Sequence, residues 1–134
     1  MIVDTSAVLA IILGEPGSEA IERILRDAPS ARIPAPTYVE LGAVLARRNP
    51  TLRRLVDELL TAYGVTIEPF GAQEAQLARS AYEDFGRGSG HRAALNLGDT
   101  FAYAAATHRR EPLLFVGDDF PHTDVVPARA PGTP

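Results

Sequence analysis

Short apolar segments alternate with helix-length stretches from one end of this chain to the other, and that order constrains the fold class more than any other feature. Met1–Val3 reads as a strand, and Asp4, Thr5 and Ser6 open a helix whose apolar run extends from Ala7 to Leu13. After a turn at Gly14–Gly17, the stretch Ser18–Asp27 sets Ile21, Ile24 and Leu25 on one helical face. Ala31–Ile33 reads as a second strand stopped by Pro34 and Pro36, with helices from about Tyr38 to Arg48 and from Pro50 onward. The second of these carries Leu52, Leu55, Val56, Leu59, Leu60 and Tyr63 at a helical period. Val65–Glu68 predicts a third strand and Ala72–Phe85 another helix; the glycine-rich Gly86–Arg92 is then expected to be a flexible joint to a helix beginning near Asp99. Leu113–Val116 is a further strand, and Asp124–Val126 offers a last one. Parallel neighbours need a crossover, and each crossover helix buries its apolar stripe on the sheet. The expected architecture is therefore α/β: a short, mainly parallel central sheet flanked by helices in an α/β/α arrangement.

Against that frame, Asp4, Glu40, Asp99 and the pair Asp118 and Asp119 all fall where a strand ends or a helix begins. Open parallel sheets gather functional groups beyond the carboxyl ends of their strands, so one carboxylate cluster could assemble from these distant segments. Carboxylates within about 4 Å repel by roughly 1 kcal/mol in water and more near a protein surface. A divalent cation relieves that repulsion. Oxygen-only ligation without His or Cys suits Mg²⁺, with Mn²⁺ as a substitute.

Each acid also has a purely structural reading. Asp4 suits a helix N-cap, Glu40 could close a capping box with Thr37, Asp99 could serve a helix dipole, and Asp118-Asp119 could be an ordinary turn. Under these readings the shared placement of the acids is coincidental, whereas one metal site explains it.

A chain of 134 residues fits one domain. Residues 1–126 carry the alternating pattern, and the tail 127–134, with three prolines and a glycine, is expected to be disordered. The absence of cysteine excludes a disulfide framework and a thiolate metal site. The run Ala7–Leu13 is too short to cross a bilayer, and no basic segment precedes it as in a signal peptide, so a cytoplasmic chain without a membrane partner is expected. The formal charge of −4 argues against a general nucleic-acid-coating role. All 13 basic residues are arginine, the side chain best shaped for bidentate phosphate contact, although a GC-rich coding sequence would give the same bias.

Four segments carry a family resemblance: Met1-Ile2-Val3-Asp4-Thr5-Ser6-Ala7, Tyr38-Val39-Glu40-Leu41, Leu95-Asn96-Leu97-Gly98-Asp99-Thr100-Phe101-Ala102-Tyr103-Ala104, and Leu113-Leu114-Phe115-Val116-Gly117-Asp118-Asp119-Phe120. In this order they resemble the successive motifs of the PIN-domain ribonucleases and, more narrowly, of VapC-type toxins. The resemblance implies a Mg²⁺- or Mn²⁺-dependent endoribonuclease that inhibits translation, forms a homodimer and is neutralised by a VapB-type antitoxin. Asp4, Glu40 and Asp99 match the acidic positions of the family; either Asp118 or Asp119 supplies the fourth. Leu97 and Thr100 stand where Phe and Cys are more usual, which touches packing and no carboxylate.

Phosphodiester hydrolysis needs an activated water and charge relief on the phosphoryl and leaving oxygens, both of which a divalent ion supplies. Asp4 and Asp99 are the leading ligands, with Glu40 and Asp118 or Asp119 completing the shell through water or orienting the nucleophile. Thr5 and Ser6 could steady the carboxylates or the substrate phosphate. Arg87 and Arg92, in the glycine-rich loop, are candidate contacts to an RNA substrate, and Arg47 with Arg48 is a second option. Two other functions share these residues: a PIN nuclease of ordinary RNA processing, and a non-catalytic metal-binding module. A phosphoacceptor-like regulator is the weakest, because the chain contains no lysine to read the phosphate.

Overall fold

The computed structural model describes residues 1–129. Its strands are β1 (Ile2–Val3), β2 (Ala31–Pro34), β3 (Val65–Glu68) and β4 (Leu113–Leu114), and its helices are α1 (Thr5–Leu13), α2 (Ser18–Asp27), α3 (Ala35–Arg48), α4 (Arg53–Ala62), α5 (Ala72–Phe85) and α6 (Leu97–Arg109). The sheet order is β3-β2-β1-β4. Every pairing is parallel, with Ile2 opposite both Arg32 and Leu113 and with Val3 opposite Leu114. β1 is thus central, and its carboxyl end opens directly onto Asp4.

Two apolar cores lie on opposite faces of the sheet because neighbouring strand residues point to opposite sides. Ile2 and Leu113 pack with Ala102, Tyr103, Ala105 and Phe120 on one face. Val3 and Leu114 pack with Val8, Leu25, Ile33, Leu41, Leu45, Val56 and Leu60 on the other. Of the stripe expected on α4, Val56 and Leu60 are buried while Leu55 stays exposed. Among the described residues, no helix is long and apolar enough to cross a membrane.

Several boundaries differ from expectation, among them that of α4, which begins at Arg53 rather than at Pro50. α3 starts at Ala35 rather than near Tyr38: Pro36 falls in its first turn, where the missing N–H has no helical partner to lose. The two prolines therefore launch the helix. β4 ends at Leu114 because Val116 N–H donates to the Ser6 hydroxyl at 3.0 Å instead of continuing the ladder. The expected strand at Asp124–Val126 is a single parallel bridge from Leu113 to Pro127, flanked by Leu113 N–H on the Val126 carbonyl and Ala128 N–H on that of Leu113. Of the tail 127–134 expected to be disordered, residues 130–134 lie outside the described ones.

The glycine-rich segment is braced rather than loose. Arg87 N–H donates to the Leu95 carbonyl and Leu95 N–H to that of Phe85, while the Ser89 hydroxyl donates to the Gly86 carbonyl at 2.6 Å. Gly88 and Gly90, with φ of 86° and 87°, take the left-handed turns this closure requires.

Candidate active site

Asp4 leaves β1 with extended backbone and caps α1. Its Oδ2 accepts from the Ser6 N–H at 3.0 Å and from the Ser6 hydroxyl at 2.6 Å. The capping reading is therefore correct, but it uses one oxygen. Oδ1 is buried and has no partner. Burial lifts the Asp4 carboxyl from its ordinary 3.8 to about 7; the Ser6 bonds oppose this, and the charges of Asp99 and Glu40 add to it. Ser6 also ties α1 to the segment after β4, since its hydroxyl accepts from Val116 N–H.

Glu40 does not form the capping box. Thr37 lies inside α3, fully buried with its hydroxyl unpartnered. Glu40 reaches instead across to α1, where Oε1 accepts the buried Thr5 hydroxyl at 2.7 Å. The backbone of α6 bounds it on the other side: a Cβ placed on Gly98 would overlap Oε2 and leave even Oε1 only 2.8 Å away. Gly98 is thus a site residue that motif reading missed.

Asp99 occupies the third position of α6 in a reciprocal cap with Asn96. Asn96 N–H donates to Asp99 Oδ2 at 3.0 Å, and Asp99 N–H donates to Asn96 Oδ1 at 2.8 Å. The spacing Asn-x-x-Asp was the available signal for this second missed residue. Asp99 is half-buried, and burial raises its carboxyl to about 6. The Asn96 bond lowers it, the charges of Asp119 and Glu40 raise it, and that of Arg87 lowers it. The substituted Thr100 is accommodated, its buried hydroxyl donating to the Leu97 carbonyl at 2.6 Å.

Asp118 and Asp119 both lie exposed beyond β4. Of the two, Asp119 is the one whose charge acts on Asp99. The structure therefore couples Asp4, Glu40, Asp99 and Asp119 electrostatically, with Arg87 beside them. Thr5 and Ser6 are engaged by Glu40 and Asp4. Arg92 is exposed in the same loop as Arg87, and among the described residues no ion pair joins it to the acids.

These side chains suit a hard divalent cation: an orphaned carboxylate oxygen on Asp4, two raised carboxyls and all-oxygen donors. Among the described residues, no three His, Cys, Asp or Glu side chains are gathered tightly enough to form a closed cage.

Comparison with known proteins identifies the family of the chain. The PIN domain family matches residues 1–126. The chain is 54% identical over 129 residues to Ribonuclease VapC42 of Mycobacterium tuberculosis, covering 96% of this chain and 98% of that protein. It is 49% identical over 126 residues to Ribonuclease VapC28 of the same organism, covering 93% and 95%. The crystal structure of Mycobacterium tuberculosis VapC20, a sarcin-ricin-loop-cleaving toxin, shares the fold with a TM-score of 0.74 at 19% identity, covering 96% of this chain and 98% of that one. The chain belongs to the PIN-domain family and, within it, to the VapC ribonucleases.

Proposed function

We propose that this PIN-domain ribonuclease is an endonuclease that uses Mg²⁺, or Mn²⁺ in its place, to hydrolyse RNA phosphodiesters. It acts as the translation-inhibiting toxin of a pair whose VapB-type antitoxin holds it inactive. The observation that carries the reading is the Asp4 carboxylate, buried at the end of the central strand with Oδ1 unpartnered and its charge opposed by Asp99 and Glu40.

Asp4 and Asp99 would hold the ion, joined by Glu40 and Asp119 directly or through water. When bound, the ion supplies a water activated near neutral pH and charge relief on the phosphoryl oxygens. The protein supplies placement. Ser6 fixes the orientation of Asp4, and Asn96 that of Asp99. Glu40 Oε1 is committed to Thr5, which leaves Oε2 to accept a hydrogen bond from the attacking water and receive its proton. Arg87 offers a guanidinium to the phosphate on the Asp99 side. The Thr5 and Ser6 hydroxyls serve the carboxylates. Exposed Val39 and Leu97, next in sequence to Glu40 and nearly so to Asp99, suit a protein partner close to the site, either a second copy or the antitoxin.

The test is cleavage of a mixed cellular RNA pool by the purified chain in Mg²⁺ or Mn²⁺. Discrete fragments should appear, vanish with EDTA and with Asp99→Asn, and vanish again on adding the antitoxin. A folded, antitoxin-free chain that leaves the pool intact would overturn the proposal.

A further inference from the structure

From Glu40, the exposed side of α3 continues as a groove of about 370 Å³ lined by Ala43, Val44, Arg47 and Arg48. These residues follow Glu40 at intervals of three, four, seven and eight, so they share one helical face. The two arginines stand about 10–12 Å along the axis from Glu40, at 1.5 Å per residue. Both are exposed, and no ion pair engages either among the described residues. By contrast, Arg26, Arg32, Arg79 and Arg109 each face a carboxylate. Within an acidic chain, residues 41–56 carry Arg47, Arg48, Arg53 and Arg54 and no Asp or Glu. A positively charged groove with an apolar floor therefore leads away from Glu40 along α3.

We propose that this groove is a substrate track: Arg47 and Arg48 bind backbone phosphates of single-stranded RNA beyond the scissile group, while Ala43 and Val44 floor the intervening ribose and base. The proposal rests on the ribonuclease reading and adds the path of the strand across the site. Charge complementarity selects the occupant, because unpaired guanidinium groups gain affinity for a polyanion by counterion release. Phosphate contacts of this kind position the strand without reading its sequence.

The experiment measures kcat and KM on a labelled single-stranded RNA that the wild-type chain cleaves, over a range of salt concentrations. It compares Arg47→Ala/Arg48→Ala with a charge-matched control, Arg23→Ala/Arg110→Asn, on α2 and at the far end of α6. The groove variant should raise KM about tenfold at moderate salt, leave kcat within about twofold, and flatten the logarithmic salt dependence by roughly 1.4, at 0.7 per single-strand phosphate. Arg47→Lys/Arg48→Lys should restore the slope, since charge alone sets it. If the two arginines only cap the carbonyls ending α3, the alanine variant melts earlier but its KM moves no more than that of the control. That result overturns the track and returns the groove to a protein occupant. Failure of the wild-type chain to cleave any RNA instead overturns the ribonuclease reading, and is seen before any variant is made.

Discussion

The carboxylate of Glu40 on α3 lies directly over the α-carbon of Gly98 on α6, in space that any side chain at position 98 would fill. The Thr5 hydroxyl donates to the same carboxylate. Glu40 is thereby held between α1, which follows β1, and α6, which follows the glycine-rich loop after α5. Gly98 is buried on a right-handed helix, so its value is the missing side chain rather than an unusual backbone angle.

Gly98→Ala should therefore separate folding from catalysis. Alanine favours a helix interior over glycine by about 0.5–1 kcal/mol, and Glu40 can swing aside at modest cost. The melting temperature should change little while kcat falls roughly 10- to 100-fold, as expected when a catalytic group is displaced by about 1 Å. Equal losses of stability and activity would show that the close approach serves packing instead.

Asp4 makes a prediction in the opposite sense. Its folded-state carboxyl titrates near 7, against about 3.8 when unfolded, so the native chain holds the extra proton between those values. Its contribution to stability is whole below about pH 4 and is lost as pH rises toward 7; the shift corresponds to at most about 4 kcal/mol at 1.36 kcal/mol per unit. Asn caps a helix as well as Asp does. Asp4→Asn should thus stabilise the metal-free protein by about 1–4 kcal/mol near pH 8 and hardly at all near pH 4, while abolishing cleavage. Urea titrations at the two pH values decide it.

Ser6→Ala removes the hydroxyl that donates to Asp4 Oδ2 and accepts from Val116 N–H. Two lost hydrogen bonds should cost about 1–3 kcal/mol. Because the Ser6 bond holds the Asp4 carboxyl down, its loss should move the acidic limb of the pH–rate profile to higher pH. An unmoved limb would mean that Asp4 does not govern it.

The aspartate pair distinguishes itself by charge. Asp119 raises the Asp99 carboxyl, so Asp119→Asn should lower that titration and weaken activity at least tenfold by loss of a water-mediated ligand. Asp118→Asn should remain near wild type. Steady-state rates of the two variants at matched Mg²⁺ provide the comparison.

Strand–helix alternation made the sheet legible, because Ile2 and Val3 on β1 and Leu113 and Leu114 on β4 are too apolar for any exposed role. Asp4, Asp99 and Asp119 were legible for the same reason, since strand ends and helix starts are marked by residue type, whereas Glu40 lies well inside α3. What stayed hidden depended on tertiary approach. Thr37 and Glu40 have capping-box spacing, but helix initiation at Ala35 places Thr37 within α3 and frees Glu40 for Thr5. Nothing local to Gly98 records that a glutamate from 58 residues earlier lies against it. The adjacent aspartates could not be ranked either, since the turn after Gly117, with φ of 121°, decides which of them faces Asp99.

The central claim is that Asp4, Glu40, Asp99 and Asp119 form one divalent-ion centre, and calorimetric titration of Mn²⁺ into the purified, metal-stripped chain tests it most directly. Binding should be saturable, release protons below about pH 7 as Asp4 and Asp99 give theirs up, and weaken at least tenfold in both Asp4→Asn and Asp99→Asn. Wild-type affinity retained by both variants would place the ion elsewhere and contradict the account.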